Sequence, residues 1–518
     1  MFLVFIPSSM MTGTYIATVV QVSDALGTLS EDISMGVYAT GVGLVVSCPL
    51  IPKLNVGITP KTLFLVPLIV EVILNVVCAT IASIEALIVV CFLIGIFKGL
   101  LMQLTISYMM PFFSPRRNIA VFYVRFYPLV IGLGQISMII TAQLAYHYQW
   151  QYVYYLIAIL YLIAIIFFFV FCRYAPRPTR VDVKELDIKG QMFISAAWLC
   201  VLYVCNYGRT LDWFSSEKIC ILVALAPVFS LLFIYRMRTA SHPFVSLHPI
   251  STGKCVVGYL FMFLASFFSI NGVLISSYAG NILKLDNLHV NFLYMWIVPG
   301  LILGAMFCSW WYKHQFSLRY IVAIGFLCYV VYLANIYFNV SPDATYSPLM
   351  LSMLFSGIGM MVLYIAMGLY VSEGLLPSDG LSNVFYFLSF RTVLAPAVAT
   401  CFYSNLLYRL QLKGMTILSE SMTDVNPIAA DIYNSAFATA TASGHDYETA
   451  CKLATKSLYV TLQQQSLLLS IKEIVGYALI AVIILAVVSF LIPFHGINKS
   501  YRFRPYILLQ KLFPLRKR

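Results

Sequence analysis

Apolar runs of about 20 residues, separated by short polar or Pro/Gly-rich breaks, recur along the whole chain of 518 residues. A bilayer core of about 30 Å needs about that many apolar residues in a crossing helix, so each run predicts one transmembrane helix. Fourteen runs meet the pattern, at 1–22, 33–52, 62–81, 86–107, 119–144, 152–172, 191–207, 219–235, 254–280, 290–311, 320–338, 348–371, 382–408 and 467–494. The predicted fold is an all-α integral membrane protein. The first run lacks a basic leading segment and a small-residue cleavage site and has a polar interior, so it reads as a helix and not as a signal peptide.

Charge then orients the helices, because Lys and Arg collect on short cytoplasmic loops. With both termini cytoplasmic, the inner loops carry Lys53, Lys61, Arg116, Arg117, Arg236, Arg238, Lys254, Lys313 and Arg319, and the tail "KSYRFRPYILLQKLFPLRKR" lies on the same side. The short outer loops hold only Arg209, Lys218 and Lys284. Two stretches interrupt the regular spacing. The basic "RYAPRPTRVDVKELDIKG" (173–190) follows six helices and reads as a cytoplasmic linker. The polar, Ala/Ser/Thr-rich segment 409–466 precedes the last helix, and its Ala438, Ala442, Ala450 and Leu453 recur at near-helical spacing, which predicts amphipathic helix in an outer loop. The expected organisation is an N-terminal six-helix bundle at 1–172, a linker with two inserted helices at 173–253, a C-terminal six-helix bundle at 254–494 and a basic tail at 495–518.

Composition agrees: 61% of residues are hydrophobic and 10% charged, with a mean hydropathy of +0.89, far from a soluble domain with about 25% charged residues. The formal charge of +12 is accounted for by the inner loops and the tail, so no nucleic-acid partner is implied. Twelve cysteines are scattered, mostly inside apolar runs, with no CxxC and no Cys/His cluster at metal-ligand spacing, so neither a metal nor a cofactor is expected. P-loop, HExxH and GxSxG signatures are absent, so the chain reads as no enzyme and as no ATP-driven pump in itself.

Several short stretches occur in an order that resembles a known family. They are "SPRRNIA" (114–120), "QWQYVYYL" (149–156), "LDIKG" (186–190), "YGRTLDWFSS" (207–216), "SHPFVSLHPI" (241–250) and "SGIGMM" (356–361). Together with the arrangement of six helices, a basic linker, two helices and six helices, they resemble the EmrB/QacA-type fourteen-helix drug/proton antiporters of the major facilitator superfamily. The resemblance implies that fold, alternating access, export of hydrophobic or amphipathic compounds against protons, residence in the inner (plasma) membrane and, for some members, a periplasmic adaptor and an outer-membrane channel. Three departures mark a divergent member. "PKLNVGITPKT" lacks the acid of the family's loop between helices 2 and 3. "GIFKGLL" has Lys98 one turn after the position of the usual Arg. "ISMIITAQ" lacks the Gly-Pro motif associated with antiport.

Ionisable residues at bilayer depth cost at least about 2.5–3.5 kcal/mol on insertion scales and mark functional candidates. Glu71, in "FLVPLIVEVILNVV", and Lys98 each lie about nine residues from the cytoplasmic end of their helices, roughly 13 Å deep at about 1.5 Å per residue. They can form an ion pair, either as a proton-binding carboxylate with its tuner or as a structural salt bridge. The superfamily's pseudo-twofold repeat implies that Arg125 ("FYVRFYP") and Arg391 ("LSFRTVL") sit at matching positions and face each other, binding an anion or gating by charge; the bland alternatives are helix capping and snorkelling. Ser8, Thr12, Tyr15 and Thr18 form a polar stripe on the first helix, and Asn271, Tyr278 and Asn281 one on the ninth, its pseudo-symmetric mate. Such stripes line either a cavity or another helix. The function expected is proton-coupled efflux. Organic-anion uptake or exchange is the alternative within transport, and a non-transporting membrane scaffold or sensor the alternative outside it.

Overall fold

A computed structural model of the chain describes residues 1–518 except 82, 116–117, 173–185, 270–271, 343–344, 374, 424–425, 493 and 495–518, and omits the side chains of Thr12 and Pro377. Arg116, Arg117, most of the linker and the basic tail therefore lie outside the described residues, as does Asn271. Among the described residues the secondary structure is helical, with no strand.

Twelve helices are long and apolar enough to cross a membrane, and a bent pair brings the number to 13. The pair is α1 (Phe2–Ala17) and α2 (Val19–Leu26), which meet at 56°. Then follow α3 (Ser30–Gly57), α4 (Pro60–Thr80), α5 (Ile84–Phe113), α6 (Ile119–His147) and α7 (Gln151–Phe171). The inserted pair is α8 (Ile188–Tyr207) and α9 (Glu217–Thr239). The ninth predicted helix is a short apolar α10 (Gly253–Phe267) and, after a break, α11 (Leu274–Asn281). The rest are α12 (Asn287–Lys313), α13 (Leu318–Asn339), α14 (Tyr346–Ser372), α15 (Gly380–Glu420), α16 (Pro427–Ala442) and α17 (Tyr447–Leu491). Among the described residues the first run is thus bent and the ninth is described as two shorter helices, so the expected count of fourteen continuous helices is not reached. Both first segments have a similar length, α1 ending at Ala17 before Thr18 and α10 ending at Phe267.

Local sequence sets several starts. Thr59 accepts a hydrogen bond from Thr62 N at 3.3 Å and caps α4, and Asn118 of "SPRRNIA" accepts one from Ala120 N at 2.9 Å and caps α6. Close packing follows from glycines. A Cβ on Gly95 of α5 would collide with the Thr40 carbonyl of α3, and one on Gly43 with Phe92. In the second half, Gly300 of α12 and Gly357 of α14 meet each other's helices in the same way, at Leu354 and Ile297. With no hydrophobic drive between helices in lipid, such backbone approach is a main source of association. Two main apolar cores result, one built chiefly from α1, α4, α5 and α7 and the other from α10 to α15 and α17 with residues of α3, α8 and α9.

Among the described residues, segment 409–466 is mostly helix. α15 and α17 run through it as continuous helices of 41 and 45 residues, roughly 62 and 68 Å long, about twice a bilayer core of about 30 Å. Their ends, with α16 packed on α17, form a helical extension on one side. The predicted amphipathic character is present in a shifted register: Ala429, Ala440, Ala450 and Ala454 are buried, whereas Ala438, Ala442 and Leu453 are exposed.

Candidate functional site

Glu71 is completely buried, at 0% exposure, and Lys98 is buried at 2%, so neither faces lipid or bulk water. Each charge acts electrostatically on the other across the α4/α5 contact. Asn75, one turn along α4, donates its amide to the Glu71 carbonyl at 2.8 Å and to Glu71 Oε2 at 3.3 Å. The Tyr15 hydroxyl of α1 donates to Asn75 Oδ1 at 2.8 Å, and its ring stacks on Tyr154 of α7 at 5.3 Å. Glu71 Oε1 has no hydrogen-bond partner among the described residues. A buried carboxylate oxygen without a protein hydrogen bond is costly to keep charged, and that cost falls if it takes a proton or if a cation compensates it.

The polar stripe of α1 is spent on these neighbours. Ser8 bonds the Val4 carbonyl at 2.8 Å and lies 3.2 Å from the Tyr161 hydroxyl of α7, and Thr18 bonds the Thr14 carbonyl at 3.2 Å. Tyr15 therefore belongs to the interior of the first bundle, not to a cavity wall. Thr12 and Asn271 fall outside what the structure describes. On α11, Tyr278 is buried and donates to the Ser341 carbonyl at 2.7 Å, a packing role, while Asn281 is exposed and lines a cavity of about 380 Å³ on the same side as the α15–α17 extension.

Arg125 and Arg391 do not meet. Arg125 is exposed and donates to the Phe113 carbonyl at 2.8 Å, satisfying the end of α5. Two residues on, about 200° around a helix of 3.6 residues per turn, Tyr127 of the same α6 faces the opposite way. The Arg391 guanidinium lies 5.2 Å from the Tyr127 ring centroid and 4.3 Å from that of Tyr364 on α14. Arg391 occupies a π-helical turn, Ser389–Leu394, within α15; such turns often mark functional positions in helices. The half-buried cation is thus held by rings from both bundles, and no carboxylate pairs with it among the described residues. Tyr123 stacks on Tyr127 at 4.9 Å and lies 3.4 Å from the Ser372 hydroxyl, and the Tyr364 hydroxyl lies 3.1 Å from that of Ser266.

Sequence reasoning singled out neither Tyr127, Tyr364 nor Asn75. The aromatic cluster "FYVRFYP" was the available signal for Tyr127. Asn75, four residues after Glu71 on one face of α4, could have been found from spacing alone.

The inserted pair reaches both bundles at the side of the extension. Asn206 donates to the Glu31 carbonyl at 2.6 Å and Tyr207 to Asp32 Oδ1 at 2.6 Å, both on α3, while Trp213 Nε1 donates to Asn405 Oδ1 of α15 at 3.2 Å. At the other end Asp187 caps α8 through Gly190 N at 3.2 Å and pairs with Arg236 of α9 at 3.0 Å. Among the described residues no cluster of His, Cys, Asp or Glu is arranged to hold a metal.

Known proteins share this architecture. Two relatives called "Multidrug export protein EmrB" are each 21% identical, one from Haemophilus influenzae over 419 residues and one from Escherichia coli (strain K12) over 421; in both cases 79% of this chain and 80% of the relative are covered. The crystal structure of a POT family transporter in complex with 5-aminolevulinic acid superposes with a TM-score of 0.55 at 16% identity, covering 89% of this chain and 93% of that one, and so shows a common fold. Residues 1–400 match the family described as Major Facilitator Superfamily. A multi-pass, all-helical membrane transporter, the chain belongs to the major facilitator superfamily.

Proposed function

We propose that this transporter exports hydrophobic or amphipathic small molecules, coupled to proton entry, by alternating access between its two bundles. The observation that carries export is the likeness to the EmrB multidrug export proteins over 79% of the chain. Coupling rests on Glu71, a buried carboxylate whose Oε1 lacks a partner among the described residues. In this reading Lys98 tunes the carboxylate, and the Tyr127–Arg391–Tyr364 contact joins the bundles and is broken and remade during the cycle. In the same reading the membrane is the inner (plasma) membrane and both termini are cytoplasmic, an orientation that the Lys and Arg of the short loops support. The α15–α17 extension then projects outward, where an adaptor leading to an outer-membrane channel would dock.

Proteoliposomes with an imposed pH gradient test this. A cationic dye should move against the proton flow in the wild type and stop moving in folded Glu71→Gln. Dye movement by Glu71→Gln equal to wild type would rule out Glu71 as the coupling group. A second reading, exchange of organic anions, is favoured by Arg391, a cation faced by rings and without a carboxylate partner among the described residues. Gradient-independent exchange of a labelled aromatic carboxylate, with no dye movement, would establish it instead.

A further inference from the structure

The cavity that Asn281 lines stands apart from the bundle contact at Arg391. It lies between α11, α15, α17 and the hairpin after α8, at the side of the extension, and has a volume of about 380 Å³, within the range of about 300–1,000 Å³ typical of small-molecule sites. Its wall divides by chemistry. Arg209 supplies the one charged side chain, and no acid lines the cavity. Asn281, Gln411, Gln463 and Gln464 bring four side-chain amides to it, none of which bonds another described residue through that side chain. Val273, Leu407 and Leu467 supply an apolar floor.

Arg209 is exposed and ion-paired with Glu31. Its guanidinium lies 5.9 Å from the Tyr408 ring centroid, and Glu31 approaches Nη2 at 3.6 Å, longer than a hydrogen bond. Its N–H donors are therefore largely unused, in a fork geometry suited to a carboxylate or sulfonate. Amides offer donors and acceptors to a polar edge, and the Tyr408 ring and the aliphatic floor accept an apolar body.

We propose that this cavity is a second ligand site, taking a monoanionic amphipathic small molecule with its acid group on Arg209 and its apolar body over Leu407 and Leu467. The site is complete in this arrangement of the bundles, without the Arg391 contact. Dansylglycine and its neutral carboxamide are a matched pair of fluorescent probes. With full-length protein in nanodiscs, dansylglycine should bind at least tenfold more tightly than the carboxamide. Arg209→Gln should remove that preference. Because Arg209 also meets Glu31, a second variant is needed: Ser277→Trp, on the α11 wall, should fill the cavity and abolish dansylglycine binding without lowering the melting temperature. Equal binding of the two probes to wild type, or undiminished dansylglycine binding in a folded Ser277→Trp protein, would overturn the proposal.

Discussion

Asn287, the first residue of α12, donates its side-chain amide to the Ala17 carbonyl at the break in α1, at 3.2 Å. The broken first helix of one bundle is thereby bonded to the other bundle on the side of the extension. A single hydrogen bond of this kind contributes about 0.5–1.5 kcal/mol net. Asn287→Ala should raise amide hydrogen exchange in 14–26 and 287–295 several-fold while leaving the α3/α5 seam unchanged. Hydrogen–deuterium exchange with mass spectrometry reads both regions in one experiment.

Neutralising one member of a buried pair leaves the other uncompensated, which costs about 3–5 kcal/mol. Lys98→Met alone should therefore sharply lower folded yield and melting temperature. The double variant Glu71→Gln/Lys98→Met should recover most of both. If the double variant folds and still couples dye movement to a pH gradient, the pair is structural and the proton path lies elsewhere.

At Arg391, a planar guanidinium between two rings gains about 0.5–2 kcal/mol from the ring faces, and a lysine keeps the charge but not the stacking. Arg391→Lys should retain fold and slow transport roughly 2- to 30-fold, as about 1.4 kcal/mol is a factor of ten. Tyr127→Leu and Tyr364→Leu should each show part of that loss. Arg125→Gln should leave transport near wild type, since its contact is with the end of α5. Initial rates of dye flux in proteoliposomes compare all four variants.

The two glycine seams make a symmetric prediction. Gly95→Ala and Gly300→Ala should each destabilise by about 1–3 kcal/mol, because a Cβ meets backbone that cannot yield. Gly280→Ala in α11, with nothing within 4 Å of its Cβ, should be neutral or stabilising by up to about 1 kcal/mol. Thermal melts in one detergent would order the three.

What the sequence made legible was governed by solvent. Apolar runs in a bilayer have to be helices, so their order and approximate ends could be read directly, and a buried Glu71 needed a neighbour such as Lys98 at equal depth. Depth along a helix is set by residue count; direction around it is not. Arg125 and Arg391 have similar depths but point differently, and the two-residue offset to Tyr127 is invisible without the packing of α6. The breaks in α1 and before α11 were hidden because a few hydroxyls, an amide and a glycine leave hydropathy high. Amphipathic helix in the extension is legible from the spacing of its alanines, but its continuity with the membrane helices on either side is not, because polar composition marks exposure to water and does not show where one helix ends.

The hairpin between α8 and α9 carries a mechanical consequence. Asn206 and Tyr207 are fastened to α3, Trp213 to α15, within a stretch of eight residues. A cord that short sets a ceiling on how far those two helices can part, whereas the flank where Asn287 meets Ala17 is closed by that hydrogen bond and by the packing of α12 on α6, with no covalent tie between the bundles there. Any parting of the bundles on that side is therefore narrowest at the inserted helices and widest beside α1 and α12, as a clam opens away from its ligament.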